Sequence, residues 1–292
     1  MSLVSYVRTE RKNLKQAIEE SLNLIDYKIS TSNKKVIIKP NLCYYWDYST
    51  GQTTHPKLVA ALIELLREKI SPNVEISIVE ADASAMKCRH SFKFLGYEKL
   101  ANQYNVDLIN LSEAETESVK IQLAKTTLNL KLPLPIKDAD LRINVPKIKY
   151  MAPTKISCAL KNIFGANPNS SKYKYHSRLS ETIVAVNKLM PFDLHILDGI
   201  IVAGKPITRL DLLMASRDAV ALDAAAARLV NMNPKTIKHI NLAQEEGLGN
   251  LTFVSKGLDP KFFQRRYPKM KPTTKVLNLA YKLATQTGLL QI

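Results

Sequence analysis

The chain alternates short apolar runs with longer stretches in which apolar residues recur every three or four positions. The first pattern is typical of buried strands and the second of amphipathic helices. The order along the first third of the chain is helix 9–25, strand 34–39, helix 55–66, strand 74–79, helix 92–104 and strand 106–109. Such an order predicts parallel strands joined by helices that lie on both faces of one open sheet.

Residues at the ends of these segments support the same boundaries. We expect Thr9 to cap the first helix, because its hydroxyl can accept a hydrogen bond from a free N–H of the first turn. Pro40 ends the first predicted strand, and Pro56 suits the first turn of the second helix. Thr53 or Thr54 is expected to cap that second helix and to leave its amino end open to an anion.

The second half of the chain adds a hairpin and further strand and helix patterns. Polar and apolar residues alternate over 118–123 and 127–132, which predicts an antiparallel hairpin. The remaining patterns predict strand 141–145, helix 179–190, strand 194–199, helices 218–229 and 234–246, and strand 252–254. The predicted fold is therefore α/β: a mostly parallel open sheet with helices on both faces, a β-hairpin insertion and a C-terminal helical tail.

We predict one α/β domain over residues 1–258 and a basic tail with a helix over 259–292. A division of the domain into two subdomains near residues 115–150 is a second interpretation of the same pattern. Hydrophobic residues make up 46% of the chain and charged residues 23%, which is typical of a globular protein. The sequence has no run of about 18 apolar residues and no signal-peptide pattern, so a cytoplasmic protein without a transmembrane segment is predicted.

Three cysteines and a strong positive charge bear on cofactors and partners. Cys43, Cys88 and Cys158 form no Cys-x-x-Cys pair, so reduced thiols are expected and no metal site is predicted.

The net charge of +16 attracts nucleic acid, anionic membranes or phosphorylated metabolites, and does not choose among them. From residue 259, basic and aromatic residues interleave. That pattern favours base stacking, a membrane surface or a helix packed on the core, and all three stay open.

Candidate chemistry lies where the predicted strands end. Lys39 and Asn41 follow one strand and precede Thr54 and His55, which begin a helix. Glu80 and Asp82 follow the next strand, as a carboxylate pair that could bind a hydroxyl, an ammonium group or a metal. The carboxyl ends of parallel strands are where open α/β sheets usually hold ligands, so we expect these side chains to meet.

The richest stretch follows strand 141–145. It carries Lys147, Lys149, Lys155, Lys161 and Asn162. Burying several lysines without anions is costly, so a bound anion is expected there, and a solvated basic loop is the alternative. An apolar environment would lower the pKa of Lys161 and suit it to act as a base or Schiff-base donor.

Three residues further along the chain complete the candidate set. His176 is expected to close over the same site. Asp198 ends a strand, and Asp223 lies inside an alanine-rich helix where its charge needs a partner, for which Lys161 is a candidate.

Several motifs together resemble the DUF362 family, over roughly residues 35–257. They are Ile38-Lys39-Pro40-Asn41-Leu42, Thr53-Thr54-His55-Pro56, Val145-Pro146-Lys147-Ile148-Lys149, Ala159-Leu160-Lys161-Asn162-Ile163-Phe164-Gly165, Leu197-Asp198-Gly199, Asp218-Ala219-Val220-Ala221-Leu222-Asp223 and Glu246-Gly247-Leu248-Gly249. Each motif is weak alone, and the ordered set is fairly specific. The lysine loop is also similar, more loosely, to the His/Lys substrate loops of lactate-racemase-like nickel-pincer enzymes.

The resemblance to DUF362 implies redox chemistry, because family members often occur with ferredoxin-like Fe–S modules. This chain lacks the cysteine repeats of such modules, so the implied electron donor is a separate electron-transfer protein. Relatives commonly carry a histidine where this chain has Met151. The cofactor, the substrate and the oligomeric state are left open.

Our leading hypothesis is a small-molecule enzyme, redox by family association, that binds an anionic substrate or cofactor. Lys161, Lys147, His176 and Asp223 are the catalytic candidates. The ligand-binding candidates are Lys39, Asn41, Thr54, His55, Asn162 and Asp198. A nucleic-acid-binding protein is the alternative, because of the +16 charge and the basic-aromatic tail.

Overall fold

The structure, a computed structural model, describes residues 1–10, 13–270 and 276. Its strands are β1 (Ser2–Arg8), β2 (Lys35–Pro40), β3 (Glu75–Glu80), β4 (Asp107–Asn110), β5 (Thr116–Leu123), β6 (Thr126–Pro133), β7 (Leu141–Val145), β8 (Lys149–Met151), β9 (Lys155–Ser157), β10 (Leu194–Val202), β11 (Thr208–Ser216) and β12 (Phe253–Gly257). Its α-helices are α1 (Leu14–Leu24), α2 (Pro56–Lys69), α3 (Cys88–Phe94), α4 (Tyr97–Tyr104), α5 (Leu134–Lys137), α6 (Ala159–Phe164), α7 (Leu179–Leu189), α8 (Ala219–Leu229), α9 (Lys238–Glu245) and α10 (Pro260–Gln264). Short 3₁₀ segments lie at Tyr48–Thr50, Lys172–Arg178 and Pro234–Thr236.

The main sheet has eight strands in the order β12-β1-β11-β10-β7-β2-β3-β4. Neighbours are parallel except where β11 pairs with β1 and with β10. Strands β5 and β6 form a separate antiparallel hairpin, and β8 and β9 form a second small one. The predicted α/β class, the mostly parallel sheet and the hairpin insertion are confirmed.

Helices cover both faces of the sheet, as the strand patterns require. Along β2, Val36 and Ile38 point into a core formed with α1, α2 and α4, whereas Ile37 points into a core formed with α6 to α9. Successive side chains of a strand alternate between its faces, so a strand with continuous apolar residues can bury both. This accounts for the short unbroken apolar runs in the sequence.

Several local predictions were wrong or incomplete. Asn13 caps α1, since its side chain accepts from the N–H of Gln16, so Thr9 is not the cap. The predicted helix 92–104 is two helices that meet at Gly96, whose φ of 80° is left-handed and ends a helical path. Strands β1 and β11 were not predicted.

The described start of the basic tail packs on the α/β unit. Phe263 of α10 is fully buried within the same core as α7 and α8, and Tyr267 packs against that core. Lys269 forms a backbone bridge with Lys205. The predicted tail helix falls almost entirely outside the described residues, and the boundary at residue 258 stays a prediction.

Candidate functional site

The predicted strand ends meet at one edge of the sheet. In the parallel register Lys39 lies beside Asn144 and Pro40 beside Val145, while Glu80 ends the next strand. The loops that follow β2, β3 and β7 therefore start from the same edge. The convergence expected from the sequence is what the register of these strands produces.

Lys39 and Glu80 form a buried ion pair at the base of this edge. The Lys39 Nζ donates to both carboxylate oxygens of Glu80 at 2.8 Å, and neither side chain is appreciably exposed. Glu80 also accepts from the backbone N–H of Ala81 at 3.0 Å. Gly165 lies so close that a Cβ there would be 3.1 Å from the Lys39 Nζ. The pair thus joins β2 to β3 beneath the loop that follows α6.

Asp82 lies in the loop that connects β3 to α3. Its carboxylate accepts from the backbone N–H of Cys88 at 2.9 Å, beside the start of α3, and pairs with Lys87 at 2.9 Å. Lys87 is mostly exposed. Asp82 therefore orders the turn between β3 and α3.

A chain of amide side chains crosses the site. Asn41 donates to the Oδ1 of Asn162 at 2.9 Å, and Asn162 donates to the Oδ1 of Asn144 at 2.7 Å. Asn144 in turn lies 3.1 Å from the Nδ1 of His195. Burial lowers the pKa of His195 to about 4, so its ring is neutral. The network fixes α6 against the ends of β2, β7 and β10.

Lys149 completes this network as a buried cation with neutral partners. Its Nζ donates to the Oδ1 of Asn41 at 2.8 Å and to the carbonyl of Gln52 at 2.9 Å. Lys149 forms no ion pair within the described part of the chain. It therefore contributes an uncompensated positive charge at the sheet edge.

Lys147 and Asp198 form a second buried ion pair. The Lys147 Nζ is 3.1 Å from the Asp198 Oδ1 and donates to the carbonyl of Ile201 at 2.7 Å. Burial lowers the pKa of Lys147, and the charge of Asp198 opposes that shift. Asp198 also accepts from the backbone N–H of His55 at 2.8 Å. This pair joins the loop after β7 to β10 and to the start of α2.

The cap of α2 is His55 and not Thr53 or Thr54, the caps that the sequence predicted. The Thr54 hydroxyl donates to the Val145 carbonyl and accepts from the Asn41 N–H, each at 2.8 Å, which ties β2 to β7. The cap of α2 is the imidazole of His55, which accepts from the N–H of Lys57. Thr54 is therefore not the cap, and His55 is turned toward its own helix.

Asp223 does not pair with Lys161, contrary to the sequence prediction. Its carboxylate, on α8, accepts from the backbone N–H of Ala159 at 2.6 Å and, more weakly, from that of Leu160 at 3.4 Å. These are free N–H groups at the start of α6, so Asp223 caps that helix from outside. The His239 Nε2 lies 3.8 Å from the same carboxylate. Asp223 thereby positions the helix that carries Lys161 and Asn162.

Removing the charge of Asp223 should loosen α6. We expect Asp223→Asn to lower the free energy of unfolding by about 1–2 kcal/mol, as for the loss of a helix cap. Urea unfolding of the two proteins measures the difference. Asp107→Asn, on an exposed strand residue, is the matched control and should change stability by less than about 0.5 kcal/mol. Equal effects of the two substitutions would contradict the capping role.

Lys161 differs from the other lysines at this edge. It is partly buried, and its Nζ has no hydrogen bond or ion pair with the described residues. Burial, with a smaller contribution from the positive charge of Lys149, lowers its pKa to about 8. The Cys43 thiol is near enough to influence it electrostatically. The site therefore contains one amine that is not committed to holding the fold together.

Lys172 and His176 approach Lys161 from the 3₁₀ segment Lys172–Arg178. Burial lowers the pKa of Lys172 to about 8, and its Nζ donates to the Gly165 carbonyl at 2.6 Å. Burial also lowers the pKa of His176, and the charge of Lys161 adds to that shift. His176 therefore lies near Lys161, and its expected closure over the site stays a prediction. Met151 lies on β8 and is partly exposed.

Sequence reasoning did not single out Asn144, His195 or Lys172. A polar residue in the middle of an apolar strand, as in 141–145, was the signal available for Asn144. A groove of about 480 Å³ lies elsewhere, beside the first residues of β2, β3 and β4 (Lys35, Glu75 and Asp107), at the opposite ends of these strands. Within the described ranges no group of three His, Cys, Asp or Glu residues is placed to hold a metal ion.

The fold is that of a known class of mixed α/β proteins. The structure of the lactate racemase apoprotein from Thermoanaerobacterium thermosaccharolyticum matches with a TM-score of 0.53, over 80% of this chain and 58% of that chain. The two sequences are 11% identical, so the likeness concerns the fold alone. The chain spans less than two thirds of the length of that protein.

The chain belongs to the DUF362 family, a domain of unknown function, whose model matches residues 36–228. A relative, the thylakoid-associated protein sll1697 of Synechocystis sp. (strain ATCC 27184 / PCC 6803 / Kazusa), is 27% identical over 264 residues. The alignment covers 84% of this chain and 74% of the relative. The family resemblance predicted from the motifs is confirmed.

Two findings concern the cellular location of the protein. No helix in residues 1–10, 13–270 and 276 combines the length and the apolar character needed to cross a membrane. The relative from Synechocystis is described as thylakoid-associated. The cytoplasmic location stays a prediction.

Proposed function

We propose that this protein is a small-molecule enzyme that binds an anionic substrate or cofactor at the carboxyl edge of its sheet, with Lys161 as the reacting amine. The observation that carries the proposal is the state of Lys161: partly buried, without a partner among the described residues, and with its pKa lowered to about 8. Perturbed titratable groups in a polar cluster are typical of functional sites.

The surrounding residues supply a rigid frame for that amine. Asn41, Asn162 and Lys149 fix α6 and add positive charge. The pairs Lys39–Glu80 and Lys147–Asp198 hold the strand ends in register, and their charges are already matched. In this proposal they are positioning residues, and an arriving anion contacts Lys161 and Lys149 first.

A lysine with a pKa near 8 can serve both binding and chemistry. At pH 7 about a tenth of its side chains carry a free amine, from the one-unit difference between pH and pKa. The ammonium form attracts an anion, whereas the free amine can accept a proton or attack a carbonyl carbon. His176 is the second acid–base candidate, because it approaches Lys161 from the facing segment. Redox chemistry with a separate electron-transfer protein stays a prediction from the family.

The proposal can be tested by the reactivity of individual lysines. Acetic anhydride, a neutral reagent, acetylates free amines, and peptide mass spectrometry reports each lysine separately. Inorganic phosphate should slow acetylation of Lys161 about threefold at a concentration about twice its dissociation constant, by mass action. Lys256, an exposed lysine of β12, is the internal control and should not respond.

Sodium chloride at matched ionic strength separates binding from screening. If phosphate and chloride slow Lys161 equally, or slow Lys161 and Lys256 equally, the site does not bind phosphate and the proposal is wrong. The matched variant Lys161→Arg keeps the positive charge without a reactive amine. It should retain phosphate protection of neighbouring Lys172 while losing the acetylation signal at position 161.

Nucleic-acid binding, the alternative drawn from charge and tail composition, receives no specific support at the described start of the tail. Phe263 is buried in the core and cannot stack on a base. The Phe262 ring is 38% exposed and contacts the guanidinium groups of Arg8 and Arg266, at 5.2 and 5.1 Å from its centroid. That alternative stays a prediction.

A further inference from the structure

Five large aromatic side chains are exposed in the loop after β2, at the end of α3 and in the 3₁₀ segment Lys172–Arg178. Tyr44, Tyr45, Trp46, Phe94 and Tyr173 have between 37% and 63% of their surface exposed. Large aromatic groups left in solvent without a covering element are typical of ligand or partner surfaces. We call the set formed by Tyr44, Trp46 and Tyr173 the aromatic rim.

The aromatic rim is continuous with the lysines. The ring of His176, which approaches Lys161, lies 4.9 Å from that of Tyr173. Burial raises the pKa of the Tyr44 hydroxyl, Tyr173 is near enough to add to that shift, and the Tyr44 ring lies 5.2 Å from that of Trp46. The rim and the candidate reacting amine thus belong to one surface.

Three lysines of the candidate site, Lys149, Lys161 and Lys172, form no ion pair within the described ranges. Lys161 interacts electrostatically with Lys149 and with Lys172, and Lys172 also interacts with the more distant carboxylate of Glu80. Burial is the main cause of the lowered pKa of Lys161 and of Lys172, and neighbouring lysine charges add to it, so an arriving anion would relieve part of that cost. Three neighbouring cations match a phosphate monoester, with its nearly double negative charge, better than a singly charged carboxylate.

We propose that the ligand of this site is a phosphate monoester that carries a planar aromatic ring, of the general form of a nucleoside monophosphate. The phosphate contacts the cluster of Lys149, Lys161 and Lys172, and the ring stacks on the aromatic rim. This inference rests on the proposed anion-binding function and adds the class of ligand. Stacking accepts any planar base, because every base has a π-face, and requires no base-specific hydrogen bonds.

Four ligands separate the contributions of ring and phosphate. AMP and CMP carry both groups, adenosine carries only the ring, and ribose 5-phosphate carries only the phosphate. We expect AMP and CMP to bind about tenfold more tightly than ribose 5-phosphate, because stacking of the base on one or two aromatic side chains adds about that much affinity. Isothermal titration calorimetry measures the affinities. Trp46 is the single tryptophan of the chain, so quenching of its fluorescence reports the ring's position directly.

Single substitutions test the aromatic rim and the lysine cluster separately. Trp46→Ala should remove the advantage of AMP over ribose 5-phosphate and leave ribose 5-phosphate binding unchanged. Lys161→Met should weaken both ligands. Phe94→Ala is the matched control, because Phe94 is an exposed aromatic residue that contacts Tyr45 and His90 outside the rim. It should change neither affinity.

The outcomes distinguish this inference from the function on which it rests. If ribose 5-phosphate binds through Lys161 but AMP and CMP bind no more tightly and leave Trp46 unquenched, the ring-bearing ligand is wrong and anion binding stands. If no phosphate compound binds, or if Lys161→Met changes no affinity, both proposals are wrong.

Discussion

Lys39→Met should lower the free energy of unfolding by about 3–5 kcal/mol, the usual result of breaking a buried ion pair. The substitution leaves the carboxylate of Glu80 charged, buried and without its cation, because the Lys39 Nζ is its ion-pair partner at 2.8 Å. Removal of a charge from water is compensated only when an opposite charge or several hydrogen bonds replace the lost hydration. Urea unfolding of wild type and variant at neutral pH measures the difference.

Two further proteins make the result specific. The double variant Lys39→Met, Glu80→Gln removes both charges and should recover at least about half of the lost stability, since a neutral pair costs far less to bury. Lys15→Met breaks the solvent-exposed pair with Glu68, also at 2.8 Å, and should change stability far less, because water screens an exposed pair. Equal losses for Lys39→Met and Lys15→Met would contradict the energetic role of the buried pair.

Lys161→Met should have the opposite effect and stabilise the protein at neutral pH. Burial lowers the pKa of Lys161 to about 8 in the folded state. An unfolded lysine titrates at about 10.4, so the folded state binds fewer protons between these two values. Below pH 8 the folded protein therefore carries the full cost of the buried charge. We expect Lys161→Met to raise the free energy of unfolding by about 1–3 kcal/mol at pH 7.

The dependence of protein stability on pH tests whether the buried charge of Lys161 is the cause. The free energy of unfolding of the wild type should rise as the pH increases from about 8 to about 10.4. Over this range Lys161 loses its proton in the folded state before it does so in the unfolded state. The difference between Lys161→Met and wild type should therefore be largest at pH 7 and shrink toward zero near pH 10. Lys256→Met, at an exposed position, should show no such trend. A stability difference that is constant from pH 7 to pH 10 would show that burial of charge is not its cause.

The expected stabilisation also concerns function. A residue that costs stability is retained in a fold when its chemistry is needed, as is common for active sites. The same variant should lose the phosphate and nucleotide binding described above. Gain of stability together with loss of binding is the combination that a purely structural lysine would not produce.

The sequence was most informative where structure is decided locally. Apolar runs such as residues 34–39, which end at a proline, predicted strands correctly because a buried parallel strand has no polar face. Strand β1 was missed because its pairing depends on β11 and β12, more than 200 residues away in the chain. A seven-residue run at the chain start gives no local signal for such partners.

For the candidate site, the sequence likewise predicted the positions of residues better than their individual partners. That Lys39, Asn41, Lys147 and Lys161 would share one edge followed from the parallel topology alone. Their individual partners did not follow, because side-chain pairing depends on register and on which helix lies above. Asp223 illustrates this: its charge was correctly expected to need a partner, but the partner is the backbone at the start of α6, which no pattern in the sequence indicates.

The burial of Phe263 affects how the basic tail can be studied. Its ring is fully enclosed beside α8, so residues 259–264 complete the hydrophobic interior although their composition resembles that of an appendage. Deleting everything after residue 258 would open a cavity the size of a phenyl ring, and a phenylalanine-sized cavity is costly in any core. A shortened protein intended to test the tail against RNA or lipid vesicles should therefore end after residue 270, where loss of binding would not be confused with loss of folding.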